Sequence, residues 1–187
     1  MAGWIAIGVL VLVGLYAIIV YNRLVRLRAL VREGWSGITV QLRRRADLIP
    51  NLVSSVEGYA THERETLNEV TAHRTDPTKA RGVEETAIAD NAFTAMLGRL
   101  MAVAEAYPDL KADDNFRQLQ DELSEIESEL QGARRYYNAT VRDLNTRIQS
   151  FPDVLMARPM GFSEEPFYAD DDISIQTAPV VRFGNGA

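Results

Sequence analysis

The first 22 residues carry no charged side chain, and this absence constrains the fold more than any other feature of the sequence. The run from Ala2 to Tyr21 reads AGWIAIGVLVLVGLYAIIVY. About 20 apolar residues, at a helical rise of ~1.5 Å each, cover the ~30 Å hydrocarbon core of a bilayer. Because the mean hydropathy of the whole chain is only -0.13, the remaining residues are much more polar than that average. The run predicts a transmembrane anchor over residues 1–22.

Two other interpretations of the apolar run fit the sequence less well. A cleavable signal peptide has basic residues before its apolar stretch and small residues at the cleavage site, whereas here the arginines follow the run. The central helix of a soluble domain rarely continues for about 20 residues without a polar interruption. A retained anchor is therefore favoured, with aromatic residues at both bilayer interfaces. Its representative lipid-facing residues are Trp4, Leu10, Leu15 and Tyr21.

The charges beyond the anchor are unevenly distributed and predict its orientation. Residues 23–60 contain seven arginines against three acidic residues, whereas the whole chain has a net charge of -6. Cationic residues flanking an anchor stay in the cytoplasm, so we expect the N-terminus outside and the body in the cytoplasm. If the lipids are anionic, each arginine near the surface contributes about 1 kcal/mol to binding. The expected membrane-surface residues, here called the basic collar, are Arg23, Arg26, Arg28 and Arg32.

Apolar residues at helical spacing continue from the anchor through most of the chain. One stripe runs from Leu24 to Ala60 and keeps its phase across Pro50, which predicts a kinked but continuous helix rather than a break. A second helix is expected over 84–106 and a third from about residue 113 to Phe151. No segment has the pattern of a strand, so the fold class is all-α. The expected core of the bundle includes Trp35, Leu42, Phe93, Leu100, Leu123, Leu130, Tyr137 and Phe151.

The sequence divides into three parts by composition. The anchor covers residues 1–22, the helical body 23–152, and an acidic tail containing proline and glycine 153–187. Within the body, asparagines beside the apolar stripes are expected to form hydrogen bonds between helices that set their register. These asparagines are Asn51, Asn138 and Asn145.

Two dense basic motifs have a structural and a functional interpretation each. The arginine triplet, Arg43, Arg44 and Arg45, lies ~35 Å beyond the anchor on a straight helix, too far for lipid contact. It either pairs within the bundle with Glu122, Glu125 or Glu129, which we favour, or docks an acidic segment of another subunit, such as Asp170, Asp171 and Asp172.

The second basic motif consists of Arg134 and Arg135, which precede two tyrosines, an arrangement seen in RNA-stacking surfaces. Tyr137 is in phase with the apolar stripe, which favours core packing with flanking salt bridges.

Catalytic, metal-binding and nucleic-acid-binding functions have little support in the sequence. The chain has no cysteine and only two histidines, His62 and His73. Neither histidine has the spacing of a zincin or of the Glu-x-x-His pairs of di-metal bundles. There is no phosphate-binding loop and no nucleophile elbow, and an acidic chain argues against general nucleic-acid binding. We expect no enzyme activity, no cofactor and no metal.

Several motifs also resemble those of the LemA family of bacterial membrane-anchored proteins. The resemblance implies one N-terminal anchor followed by an up-and-down antiparallel bundle of long helices, in the bacterial inner membrane. The family includes the magnetosome protein MamQ, so the resemblance also implies a role in membrane shaping or organisation. The matching segments are YNRLV (21–25), RRADLIPNLV (44–53), GYATHE (58–63), LGRLMAVAEAYPDLKADDNF (97–116) and ARRYYNATVRDLNTRIQSFP (133–152).

Two hypotheses about function follow. The first is a non-enzymatic scaffold that forms homo-oligomers, binds membrane lipid and organises or shapes the bilayer, because the anchor joins the body without a flexible linker. The second is an adaptor for another membrane protein, such as a membrane protease or an envelope-stress component, because the bundle has a long charged surface. An enzyme is the least favoured class.

Overall fold

The computed structural model describes residues 1–59 and 82–168, and these residues form an all-α fold. The fold class predicted from the sequence is confirmed. Three long helices and two short ones make up the described part of the chain. They are α1 (Ala2–Glu57), α2 (Val83–Glu105), α3 (Pro108–Ala112), α4 (Asp114–Gln149) and α5 (Val154–Ala157).

Helix α1 runs for 56 residues from the apolar segment to the far end of the bundle. Pro50 lies inside it and does not end it, although proline removes one backbone hydrogen bond. The side chain of Pro50 is exposed, while Ile49, Leu52 and Val53 are buried around it. Packing of this apolar face therefore holds the helix together across the proline. The predicted continuity of the helix is confirmed.

Helices α1 and α4 are antiparallel and pack along most of their length. Their register is read from facing pairs, because Gly34 lies against Tyr137 and Arg44 pairs with Glu129. A Cβ added at Gly34 would lie 3.0 Å from the Cα of Tyr137. The absence of a side chain at this position therefore allows the two backbones to approach closely.

The buried apolar residues form two clusters, one at each end of the bundle. The lower core, nearer the anchor, joins α1 to the second half of α4 and to the C-terminal segment. The upper core joins the end of α1 to α2, α3 and the start of α4. Central residues of the lower core are Leu24, Ile38, Leu130, Val141 and Leu144, and those of the upper core are Ile49, Leu52, Phe93, Leu100 and Phe116.

The starts of α3 and α4 are explained by the residues that stand at these positions. The carboxylate of Asp113 caps α4 by accepting a 2.9 Å hydrogen bond from the amide of Phe116, as expected of an aspartate at this position. Helix α2 ends at Glu105, and Pro108 begins α3, because proline is well suited to the first turn of a helix.

One predicted core residue is wrong. Helix α4 ends at Gln149, two residues before Phe151, so the apolar stripe of the sequence outlasts the helix. The side chain of Phe151 is 80% exposed. Trp35 and Leu123 are partly buried at the edges of the two cores. The other five predicted core residues, Leu42, Phe93, Leu100, Leu130 and Tyr137, are buried.

After a turn at residues 158–161, residues 162–168 lie on α4 without regular secondary structure. The side-chain amide of Asn138 exchanges two hydrogen bonds with the backbone of Tyr168, and that of Asn145 does the same with Glu165. These two asparagines therefore bind the C-terminal segment and not a neighbouring helix, which corrects the inter-helix prediction. Phe162 and Tyr168 are buried in the lower core. The packed body consequently extends past residue 152, where the sequence suggested that it ended.

Candidate functional site

A buried ionic network lies between the lower and upper cores, and Asp90 of α2 is at its centre. The residue is 0% exposed. One carboxylate oxygen pairs with the guanidinium of Arg45, and the other pairs with that of Arg134. The second oxygen also accepts a 2.6 Å hydrogen bond from the hydroxyl of Tyr168. A single aspartate on α2 thus binds α1, α4 and the C-terminal segment.

Arg45 is 1% exposed and is satisfied by further partners. Its second terminal nitrogen donates to Glu127 at 2.7 Å and to the hydroxyl of Thr94 at 3.2 Å. Its guanidinium carbon lies 4.7 Å from the centre of the Phe93 ring, a distance at which a cation is attracted to an aromatic face. A buried arginine is tolerated only when it is paired in this way.

The network contains two arginines and two carboxylates, so its formal charge is balanced. Arg134 stacks over the Tyr168 ring at 5.3 Å. Burial and the negative charge of Asp90 raise the pKa of Tyr168 above its ordinary value, because both disfavour a phenolate. Tyr168 therefore remains a hydrogen-bond donor. The paired carboxylate of Asp90 is enclosed, so the arrangement is suited to fixing helices in register rather than to acting on a substrate.

Tyr137 contributes a second buried hydroxyl below the network. It donates a 2.9 Å hydrogen bond to the carbonyl of Pro166, and its ring lies 5.7 Å from that of Trp35. Burial, together with the negative charge of Glu165, raises the pKa of Tyr137 to about 12. This tyrosine also fastens the C-terminal segment onto α4.

The structure separates the three members of the arginine triplet. Arg43 is exposed, Arg44 pairs with Glu129 at 2.6 Å on the surface, and Arg45 is in the buried network. Glu129 was among the expected partners, whereas Asp90 and Glu127 were not. The proposed docking residues Asp170, Asp171 and Asp172 lie outside the described residues, and so do His62 and His73.

Asp90 could have been found in the sequence from its position on α2. It lies three residues before Phe93, four after Thr86 and seven before Leu97, all of which are buried, so it is in phase with the buried face of the helix. An acidic residue in such a phase requires a cationic partner. The same argument applies to Arg45, which lies three residues after Leu42 and four before Ile49.

The basic collar is divided between solvent and bundle. Arg23, Arg26 and Arg32 are exposed. Arg28 instead donates a 2.9 Å hydrogen bond to the carbonyl of Gly161 and stacks over the Phe162 ring at 4.1 Å. Three of the four collar residues are therefore available to a surface near the anchor, and the fourth holds the C-terminal segment.

The apolar start of α1 is long enough to cross a membrane and is almost bare. Within the described ranges it is the one helix with the required length and composition, and only 6% of its apolar window is buried. The core helix of a soluble protein would be mostly buried, so the segment has the character of a single-pass membrane anchor. The expected lipid-facing residues Trp4, Leu10, Leu15 and Tyr21 are 80%, 71%, 54% and 47% exposed.

Comparison with known proteins gives a family and several relatives. The profile of the LemA family matches residues 34–183. The chain is 25% identical to the magnetosome protein MamQ 2 of Paramagnetospirillum magneticum over 176 residues, which cover 80% of this chain and 65% of that protein. It is 30% identical to Protein LemA of Metamycoplasma hominis over 135 residues, covering 70% and 60%. It is also similar to the magnetosome protein MamQ of Magnetospirillum gryphiswaldense, at 25% identity with 88% and 71% covered. The alignments thus span somewhat less than two thirds of the first MamQ protein and of the LemA protein.

Proposed function

This chain belongs to the LemA family, and we propose that it is a non-enzymatic scaffold that self-assembles at the bacterial inner membrane and organises or shapes the bilayer. The observation that carries the proposal is the continuity of α1, whose apolar start and whose bundle-forming part are one helix. The similarity to relatives named as magnetosome proteins supports membrane organisation as the role.

Continuity of α1 has a mechanical consequence. A flexible linker would let the bundle adopt any angle to the bilayer, whereas an uninterrupted helix transmits the orientation of the anchor to the bundle. The lower core begins at Val20, within the apolar run itself, so the bundle packs directly against the end of the anchor. Contacts between bundles held at one angle would then act on the membrane through their anchors.

Reconstitution of the full chain in lipid vesicles tests the proposal. We expect chemical crosslinking to give products containing only this chain, and electron microscopy to show a change of vesicle shape that increases with protein density. Protein-free vesicles and vesicles of low protein density are the controls. A protein that stays monomeric and leaves vesicle shape unchanged at high density contradicts the scaffold.

The proposal includes an orientation, with the N-terminus outside and the bundle in the cytoplasm. It rests on the basic collar, in which Arg23, Arg26 and Arg32 are exposed beside the anchor, and on the retention of cationic flanks in the cytoplasm. A reporter fused after Ala187 is expected to behave as cytoplasmic. Periplasmic activity of the reporter contradicts this orientation.

An adaptor for another membrane protein is the second candidate. It is supported by the charged outer surface of the bundle, where Arg43 of α1 and Asp121 and Glu125 of α4 are exposed. Crosslinking in native membranes separates the two candidates. Products that contain mainly this chain favour the scaffold, whereas a foreign protein in fixed stoichiometry favours the adaptor.

A further inference from the structure

The turn between α4 and α5 presents apolar side chains beside the anchor. This base turn, residues 150–155, comprises the connection after α4 and the first two residues of α5. Phe151 is 80% exposed and Leu155 is 66% exposed. Exposed large apolar residues are scattered over most protein surfaces, so the position of these two relative to the anchor decides whether they have a role.

A hydrogen bond fixes the level of the base turn along α1. The hydroxyl of Tyr16 donates to a carboxylate oxygen of Asp153 at 2.5 Å. Tyr16 lies five residues inside the apolar run that ends at Tyr21, which corresponds to ~7.5 Å along a helix. Side chains that lie in a membrane interface are buried about 5–10 Å into the boundary between headgroups and acyl chains. The base turn is thus at interfacial depth if the apolar run spans the bilayer.

Contacts on both sides of the base turn hold it in place, one to α4 and the other to α1. On the side that approaches the membrane, Arg147 pairs with Asp153. On the side that leaves it, the Phe162 ring meets the Tyr21 ring edge-on at 5.8 Å and is covered by Arg28. The turn is therefore attached to the anchor itself and does not project freely from the bundle.

The charges around the base turn suit a lipid surface. Between residues 144 and 163 the chain carries two arginines and one acidic residue. The acidic residue, Asp153, is 1% exposed and faces Tyr16 and Arg147, so it is turned away from the exterior. Arg158 and the nearby Arg23 are exposed. Apolar side chains flanked by arginines are typical of segments that lie in a membrane interface.

We propose that the base turn is a second membrane-contacting site, at which Phe151 and Leu155 insert into the interface of the bilayer that α1 spans. The occupant of this apolar surface is lipid, because the base turn is hydrogen-bonded to Tyr16 of the anchor itself. Two points of contact resist tilting better than one, so the base turn adds to the fixed orientation of the bundle. The proposal rests on the membrane anchoring of α1 and is independent of self-assembly.

Single labels on the full chain test the proposal directly, because the chain contains no cysteine. An environment-sensitive fluorophore is attached to F151C, to L155C or to F167C in separate preparations in nanodiscs with and without brominated lipid. Phe167 is a matched control: it is 50% exposed but adjoins Pro166, whose carbonyl binds Tyr137 far from the anchor. Circular dichroism verifies that each labelled chain is helical.

The expected result is loss of fluorescence in brominated lipid for the labels at 151 and 155, with no loss for the label at 167. Labels at 151 and 155 that are not quenched overturn the proposal. If their emission is shifted to the blue without quenching, the surface is covered by protein instead of lipid, which also overturns it. A label on L10C distinguishes failure of the base-turn contact from failure of membrane anchoring, because this label is quenched whenever the anchor spans the bilayer. If the label on L10C is not quenched, the proposed function itself is contradicted.

Discussion

Replacing Asp90 with alanine is expected to destabilise the bundle by about 3 kcal/mol. Removing one partner of a buried ion pair costs roughly 3–5 kcal/mol, because the remaining charge is left in a poorly solvated site. In this network two charges lose that partner: Arg45, whose side chain is 2% exposed, and Arg134, whose side chain is 13% exposed. Arg45 keeps its 2.7 Å contact with Glu127, so we place the effect at the lower end of that range. The loss of the Tyr168 hydrogen bond adds to it.

The measurement is urea unfolding of the full chain in detergent micelles, followed by far-ultraviolet circular dichroism. R44A is the matched control: Arg44 is the neighbouring arginine, and its pair with Glu129 is 50% and 42% exposed. An exposed pair contributes about 0–1 kcal/mol, so R44A should unfold almost as the wild type does. A double variant, R45M/D90A, should lose less than the two single variants together, because neither charge of that pair is left alone.

The result that refutes this reasoning is a loss for D90A no larger than that for R44A. Such a result would mean that Asp90 is hydrated in the folded chain, so that its removal leaves no buried charge. A network hydrated to that extent would not set the register of α2, and the central position assigned to Asp90 would be wrong.

Three further expectations concern packing, capping and pH. G34A should destabilise the bundle by about 1–3 kcal/mol in urea unfolding, because its Cβ would lie 3.0 Å from the Cα of Tyr137. The control G37A, with its Cβ 3.8 Å from the nearest side-chain atom, should be neutral or stabilising. Equal effects of the two substitutions would contradict the close approach of α1 and α4. D113A should lower the free energy of unfolding by about 1 kcal/mol in the same measurement, because the cap of α4 is lost; an unchanged midpoint would contradict the cap. The pKa of Tyr137 is raised from 10.0 to about 12, so its contribution to stability is complete below the unfolded pKa and is lost as pH rises from about 10 to 12. The urea midpoint should therefore fall across that window, and Y137F should fall less steeply; identical slopes would contradict the burial of the hydroxyl.

The sequence predicted the helices well because their apolar residues recur at one spacing over long distances. The stripe along α1 continues across Pro50 without a change of phase, and packing on both sides of the proline keeps the helix intact. The same reasoning failed at Phe151, because periodicity records which residues are apolar and does not record where the chain turns. The stripe therefore appeared to continue after α4 had ended.

The ionic network could be predicted only in part. The interpretation that favoured pairing of the arginine triplet within the bundle named Glu129, which does pair with Arg44. It did not find Asp90, because pairing a residue on α1 with one on α2 requires knowledge of how the helices are rotated against each other. The docking of the C-terminal segment through Asn138 and Asn145 was also beyond the sequence, since an asparagine on a helix has equal capacity to bind another helix or an extended chain.

The exposure of the base turn beside the anchor could not be predicted from the sequence. Phe151 appears in the sequence as one more apolar residue of a helical stripe, and its exposure beside the anchor emerges only from the antiparallel register of α1 and α4. That register places Asp153 next to Tyr16, and the level of the turn relative to the bilayer follows from it.

The continuity of the anchor with the bundle is tested most directly by a distance measured along α1. Spin labels on L10C and V40C, two positions that are 71% and 52% exposed, are 30 residues apart, or ~45 Å in a continuous helix. Pulsed electron paramagnetic resonance on the doubly labelled full chain in nanodiscs, diluted with unlabelled protein, measures this distance. We expect one narrow distribution centred at about 45 Å, because the anchor and the bundle share one unbroken helix. A broad distribution, or one centred at a much shorter distance, would show a flexible joint between anchor and bundle and would contradict the continuity of α1.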